Sequence, residues 1–348
     1  MVLENHWKAI LFLKHLLQKG SGRGRAKARF SHVLAPKNHP GLKNVMYAAT
    51  KNSAAPLFGK HAFIIVHGMN KLGPQDVRLI KLARSIAAAG YSVFVPNIKS
   101  IRRHVLDMQK VADVLYDCCK FLMTQGVESF SLLGISFSGA ATFPVAGAAD
   151  LKDHIKSIFL VGTYFDSKRV LTRSIQDKTS NAYGFLITIK NIFIEQGVGS
   201  NIFMRVIDQA IQDAWRAKNF ARTKVMLLRL PEHEQVLIKK LISRDYDAQN
   251  LLRQYCKGLE QVAFDSEYRS SIPKIKCPLF ILHGLQDDII PESESVELDC
   301  FLKSRDKKSC LVVTSLLTHV HLNLKVGFKL IYDIVQMFRL LAKYFGKN

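Results

Sequence analysis

The sequence predicts an α/β protein, a mostly parallel sheet covered by helices and interrupted by a helical insertion. Three observations carry this. From about residue 61, short apolar runs alternate with amphipathic helical stretches, the pattern of parallel strands joined by covering helices. Over residues 167–272 the alternation stops, and strand signals give way to helical ones. It then resumes at 278–283 and 310–314.

Taken in order, His61 to His67 (HAFIIVH) reads as a buried strand ending at Gly68. Gln75 to Ala89 places Val77, Ile80, Leu82, Ala83, Ile86 and Ala87 on a helical face, with Gly90 as its C-terminal cap. Tyr91 to Val95 is the next strand and Pro96 stops it. A long helix follows over 105–124, then a strand over 130–133, a small-residue helix from Gly139 to Gly147, and a strand over 155–161. A loop of about a hundred residues is too long for a compact domain, so 167–272 is read as a helical insertion, with helices at 201–217 and 232–242. Strands at 278–283 and 310–314 and a helix over 324–345 complete the chain. The expected organisation is a basic N-terminal leader or helix over 1–60, a core over 61–166 and 273–348, and an insertion over 167–272.

Hydrophobic residues make up 48% of the 348 residues and charged ones 22%, ordinary for a globular protein that needs no staples. The formal net charge is +22, and residues 1–60 hold eleven Lys or Arg against the single acid Glu4. Such a surplus draws a protein towards anionic surfaces. No nucleic-acid module or interleaving of aromatic with basic residues accompanies it, so specific nucleic-acid binding is not expected. Peripheral contact with an anionic membrane fits better, and a plain basic surface fits as well. The apolar run Ala9 to Leu13 is too short to span a bilayer. It suits an interfacial helix or a surface helix packed on the domain. Six cysteines, at 118, 119, 256, 277, 300 and 310, lack metal-ligand spacing. They read as free thiols in a reducing compartment, so the expected location is cytoplasmic or peripheral to a membrane.

Chemistry concentrates at four places. Phe130 to Ala140 (FSLLGISFSGA) is a strand running into a tight turn with Ser136 at its apex and small residues at 134, 138 and 139. That arrangement exposes a nucleophilic hydroxyl on a strained turn. The usual pattern is G-x-S-x-G, and here Ser138 holds the last position, with glycine displaced to 139. Next, Pro278 to Pro291 ends a strand in H-G-x-x-D-x-x-x-P, where Asp287 could orient a histidine and Asp288 would be its solvated neighbour. His319 and His321 then follow the last strand, and either could serve as base, with His319 the first in line. Finally, His67-Gly68-Met69-Asn70 follows the first core strand. Backbone amides of Met69 and Phe137 are the candidate donors to a developing oxyanion, and His67 is a loop-supporting residue.

Together, in the chain order Ser, Asp, His, these motifs resemble the α/β-hydrolase superfamily over roughly 60–165 and 275–345. Segments around Leu82-Ala83-Arg84 and Val93-Phe94-Val95-Pro96 look like its serine esterase and dienelactone-hydrolase-like branches. The resemblance implies an eight-stranded, mostly parallel sheet with the site at the carboxyl ends of its strands and the insertion as a helical cap. Serine at the turn argues against the branches that use aspartate there. The implied activity is hydrolysis of a carboxylic ester, of a small molecule or a lipid, through an acyl-enzyme and without a cofactor or metal. Apolar cap residues Phe185, Ile189, Phe193 and Phe203 would line an acyl pocket or pack their own helices. The contrasting reading is a catalytically silent scaffold that binds a ligand or associates with a membrane.

Overall fold

The computed structural model describes residues 2–17, 28–33, 44–49, 59–216, 219–247, 250, 265–319 and 328–347. The chain divides into two compact units, one of Met1–Arg102, Met108–Phe165 and Ser266–Asn348 and the other of Arg103–Asp107 and Asp166–Asp265.

The larger unit is built on strands β1 (Ala28–Val33), β2 (Asn44–Ala49), β3 (His61–Val66), β4 (Ser92–Val95), β5 (Ser129–Ile135), β6 (Ile155–Val161), β7 (Leu279–Gly284) and β8 (Ser309–Thr314). They form one sheet in the order β1-β2-β4-β3-β5-β6-β7-β8. The six strands from β4 to β8 in that order pair in parallel, whereas β2 runs antiparallel to both β1 and β4. With helices on its faces, this is the α/β-hydrolase fold. The chain goes outward from β3 to β4 and then crosses back to β5 on the other side of β3. The crevice beyond the carboxyl ends of β3 and β5 is therefore a topological switch point, where sheets of this kind bind ligands.

Residues 1–60 contribute α1 (Val2–Leu17) and the pair β1 and β2, which extends the sheet past β4. Ala9 and Phe12 of α1 are buried with α2 (Val77–Ala88) and the C-terminal helix Phe328–Phe345 on one face of the sheet, over Phe63, Ile65, Val93, Leu133, Phe159 and Phe280. By the two-residue period, Ile64, Leu132, Leu160 and Ile281 face the other side. There lie the helices Met108–Thr124, Thr142–Gly147 and Glu292–Ser304. The C-terminal helix is held by an aromatic cluster. Tyr344 stands 5.7 Å from Phe63 and 4.8 Å from Phe159, while Phe345 stacks on Tyr91 at 5.7 Å.

The smaller unit is helical, with Ser167–Gln176, Ala182–Glu195, Asn201–Arg216, Ala221–Leu227 and Glu232–Ser243. Asn181 caps the second of these by accepting from the Tyr183 amide. Phe185, Ile189, Phe193 and Phe203 are all fully buried. Phe193 and Phe203 meet at 5.7 Å, and Phe185 packs against both Tyr246 and the Arg244 guanidinium. Their rings thus form the unit's own core.

Two histidines of the sheet unit are held neutral. His61 binds Ser129 Oγ and Ser131 Oγ at 2.9 and 3.0 Å, and burial, helped by Lys156, lowers its pKa to about 4. Burial likewise lowers His67 to about 4. In the unfolded chain both would take up a proton below about 6.5. Stability is therefore greatest above that pH and falls as pH drops from about 6.5 to about 4, by on the order of 3 kcal/mol for His67 alone. Urea unfolding followed across this range checks it. The His67→Gln variant should show a shallower decline, and a wild-type stability flat from neutrality to about pH 4.5 would contradict it.

Candidate active site

β5 delivers Ser136 to the switch point in the left-handed region, at φ +58°. A non-glycine residue there carries strain of about 1–3 kcal/mol, and contacts on both sides hold it. A Cβ on Gly134 would stand 2.5 Å from Gly139 Cα, and one on Gly139 would stand 2.7 Å from Thr163 Oγ1. The bare Gly134 lets the strand touch the following turn, and the bare Gly139 lets the turn press against Thr163. Ser138, the departure from the usual pattern, is fully buried. Its hydroxyl lies 2.6 Å from Ile135 O and 2.8 Å from His67 O, to which it donates. The substitution therefore adds a tie between the serine turn and the loop after β3.

Ser136, Asp287 and His319 come together although they lie far apart in sequence. Ser136 Oγ is 2.8 Å from His319 Nε2, and His319 Nδ1 is 2.6 Å from Asp287 Oδ2. The carboxylate accepts from Nδ1–H, so the Nε2 lone pair faces the serine hydroxyl. Asp287 Oδ1 accepts from the amides of Ile289 and Ile290, each at 2.9 Å. Burial opposes its charge, but the field of His319 and hydrogen bonds from His283 and His319 outweigh this and hold the carboxyl well below the usual range. Asp287 is buried while Asp288 is exposed. His321 lies outside the described residues.

The surrounding backbone fixes the pair. Asp333 accepts from the Ser315 amide at 2.8 Å and from its hydroxyl, securing the turn after β8 that leads to His319. A Cβ on Gly284 would stand 2.2 Å from Thr318 O, so the end of β7 lies directly against this segment. Gly162, at φ +57°, passes under the Asp287–His319 contact, where a Cβ would stand 3.4 Å from Asp287 Oδ2.

The loop after β3 borders the serine. A Cβ on Gly68 would be 3.6 Å from Ser136 Cβ, which places the Gly68–Met69 turn beside the hydroxyl. His67 Nδ1 donates to Gly68 O at 3.1 Å, and its Nε2 accepts from the Ile98 amide at 3.4 Å. His67 thus ties the loop to the segment after β4. Phe137, next to the serine, packs its ring on Tyr164 at 4.8 Å.

Sequence reasoning gave no role to His283, which proves to be part of the acid's setting. It is fully buried, with Nε2 2.9 Å from Ile290 O and 3.3 Å from Asp287 Oδ2. Ser295 Oγ lies 2.6 Å from its Nδ1, completing an imidazole engaged on both sides. The His-Gly pair at the strand end was the available signal. Gly162 carried only the weak signal of a glycine just past a strand.

No family model matches the chain, and no curated protein matches it. Solved structures are similar to it at low identity. Among them are a dipeptidyl peptidase 4 of Porphyromonas gingivalis (10% identity, TM-score 0.49, 91% of this chain and 35% of that chain) and a puromycin-hydrolyzing peptidase of Mycobacterium tuberculosis (12%, 0.49, 92% and 39%). A third is a serine hydrolase from the polyaromatic hydrocarbon-degrading bacterium Cycloclasticus zankles (14%, 0.44, 92% and 98%). The chain spans little more than a third of the length of the two peptidases. The fold stands on the strand order and crossovers themselves.

The Ser138 tie makes a prediction. Ser138→Ala removes the donor to two buried carbonyls and should destabilise the protein by roughly 1–3 kcal/mol. Equilibrium urea denaturation measures this, and a variant as stable as the wild type would show the bond to be dispensable.

Proposed function

We propose that this chain is a serine hydrolase that cleaves a carboxylic ester, of a small molecule or a lipid, through an acyl-enzyme. The single observation that carries the reading is the run of short contacts from Asp287 through His319 to Ser136 Oγ at a positive-φ turn. In this reading His319 Nε2 takes the Ser136 proton as Oγ attacks the ester carbonyl. The imidazolium so formed is stabilised by Asp287, whose charge is already secured by two amides. The amides of Met69 and Phe137 receive the developing oxyanion, and the loop contact at Gly68 supports that role. His319 then returns its proton to the departing alkoxide. Water, deprotonated by the same imidazole, releases the acid and restores Ser136. An ester asks least of such a site. Its alkoxide leaves with one proton, whereas an amide nitrogen must be protonated before it departs. No cofactor enters these steps.

Covalent labelling with a fluorophosphonate probe tests the reading. Wild-type protein should label at Ser136, and Ser136→Ala should abolish labelling. His319→Ala should slow it by about a thousandfold or more, while His321→Ala should leave it near wild type. A folded wild type that never labels would contradict the reading and leave a ligand-binding scaffold. Loss of labelling in His321→Ala but not in His319→Ala would reassign the base. Rates on ester, thioester and aminoacyl-amide substrates of one acyl group then rank the leaving groups, with the ester expected first.

A further inference from the structure

Helix α1 carries apolar residues on two faces, and among the described residues one of them is covered. Ala9 and Phe12 are buried against the sheet unit, with Leu13 and Leu16 packed beside them. Opposite them, at a spacing of three and seven residues, Trp7, Ile10 and Lys14 form a stripe along the outer face. Trp7 is 59% exposed and Ile10 45%. A helix of this composition would ordinarily be buried all round. The neighbouring C-terminal helix, which meets α1 where His6 packs on Phe338 at 5.6 Å, also exposes Tyr332, Ile334 and Val335.

Charge identifies what covers the stripe. Lys14 is exposed at its end, and residues 14–27 carry Lys14, Lys19, Arg23, Arg25 and Lys27 with no acidic residue. Tryptophan followed in the sequence by a run of basic residues suits the boundary between lipid headgroups and acyl chains, where an indole is half buried and cations meet phosphate. Among the described residues no helix is long and apolar enough to cross a membrane. We infer that the outer face of α1 docks the protein on an anionic phospholipid surface, with Trp7 and Ile10 entering the interface and Lys14 meeting a headgroup phosphate. This inference is independent of the hydrolytic reading.

Flotation of the full chain with vesicles of phosphatidylcholine, alone or mixed with phosphatidylglycerol, tests it. The wild type should prefer the mixed vesicles, and binding should weaken as salt is raised, since screening shortens from about 10 Å at 0.1 M to about 3 Å at 1 M. Trp7→Ser/Ile10→Ser should bind at least about tenfold more weakly while melting at the wild-type temperature. The chain has two tryptophans, so Trp215→Phe leaves Trp7 as the reporter. Its emission should move to the blue when mixed vesicles are added. No preference for the anionic vesicles, equal binding by the double variant, or unshifted Trp7 emission in the bound protein would each overturn the inference. So would tighter binding to duplex DNA that ignores the double substitution, because the charge would then belong to nucleic acid.

Discussion

Everything at the centre of this molecule depends on how closely β5 and the turn after it can approach. A side chain on Gly134 would collide with Gly139, and between these two close-packed glycines the backbone at Ser136 lies in the left-handed region. The strain there is modest beside the packing that enforces it: β5 is flanked by parallel strands on both sides, and the turn is pressed against Thr163. Ser138 extends the same constraint. By bonding to His67 O it makes the serine turn and the loop after β3 a single rigid object. A hydroxyl where the usual G-x-S-x-G pattern has glycine is compatible with the turn because it is small and its proton has acceptors within reach.

A second constraint runs through hydrogen bonds. Asp287 keeps its charge in a buried place because two amides and two imidazoles face it. His283 is itself fixed between Ser295 and Ile290 O, so the acid cannot rotate away from His319 without leaving buried groups unsatisfied. Asp333, on the C-terminal helix, secures the turn before His319, and the aromatic cluster of Tyr344 and Phe345 secures that helix to the sheet. Packing far from the serine therefore sets the position of His319.

Much of this was legible in the sequence, and the omissions have physical causes. The strands at 61–66, 92–95, 129–135, 155–161 and 279–284 stand out because strands buried on both faces read as near-continuous apolar runs, and 309–314, half-buried at the end of the strand order, by its run Cys310 to Val313. β1 and β2 did not, because Ala28–Val33 and Asn44–Ala49 are short, mixed in polarity and set among basic residues. Their place in the sheet depends on pairing with β4, which no local pattern records. The candidate site residues stand out in the sequence because each follows a strand end. Choosing between Asp287 and Asp288 drew on spacing, and their contrasting burial now gives a structural reason. His283 escaped assignment because its role is tertiary: it reads as half of a turn signature until Asp287 folds back onto it. The apolar residues of the insertion suited either an acyl pocket or helix packing, and periodicity cannot distinguish a core from a pocket wall.

The most direct measurement is to quench the protein in acid within the first turnover of a chromogenic ester and map the bound acyl group by peptide mass spectrometry. The account predicts one acyl group, on the peptide containing Ser136 and on that residue. Hydrolysis that proceeds with no acyl group on Ser136, or with the group on another side chain, would contradict it.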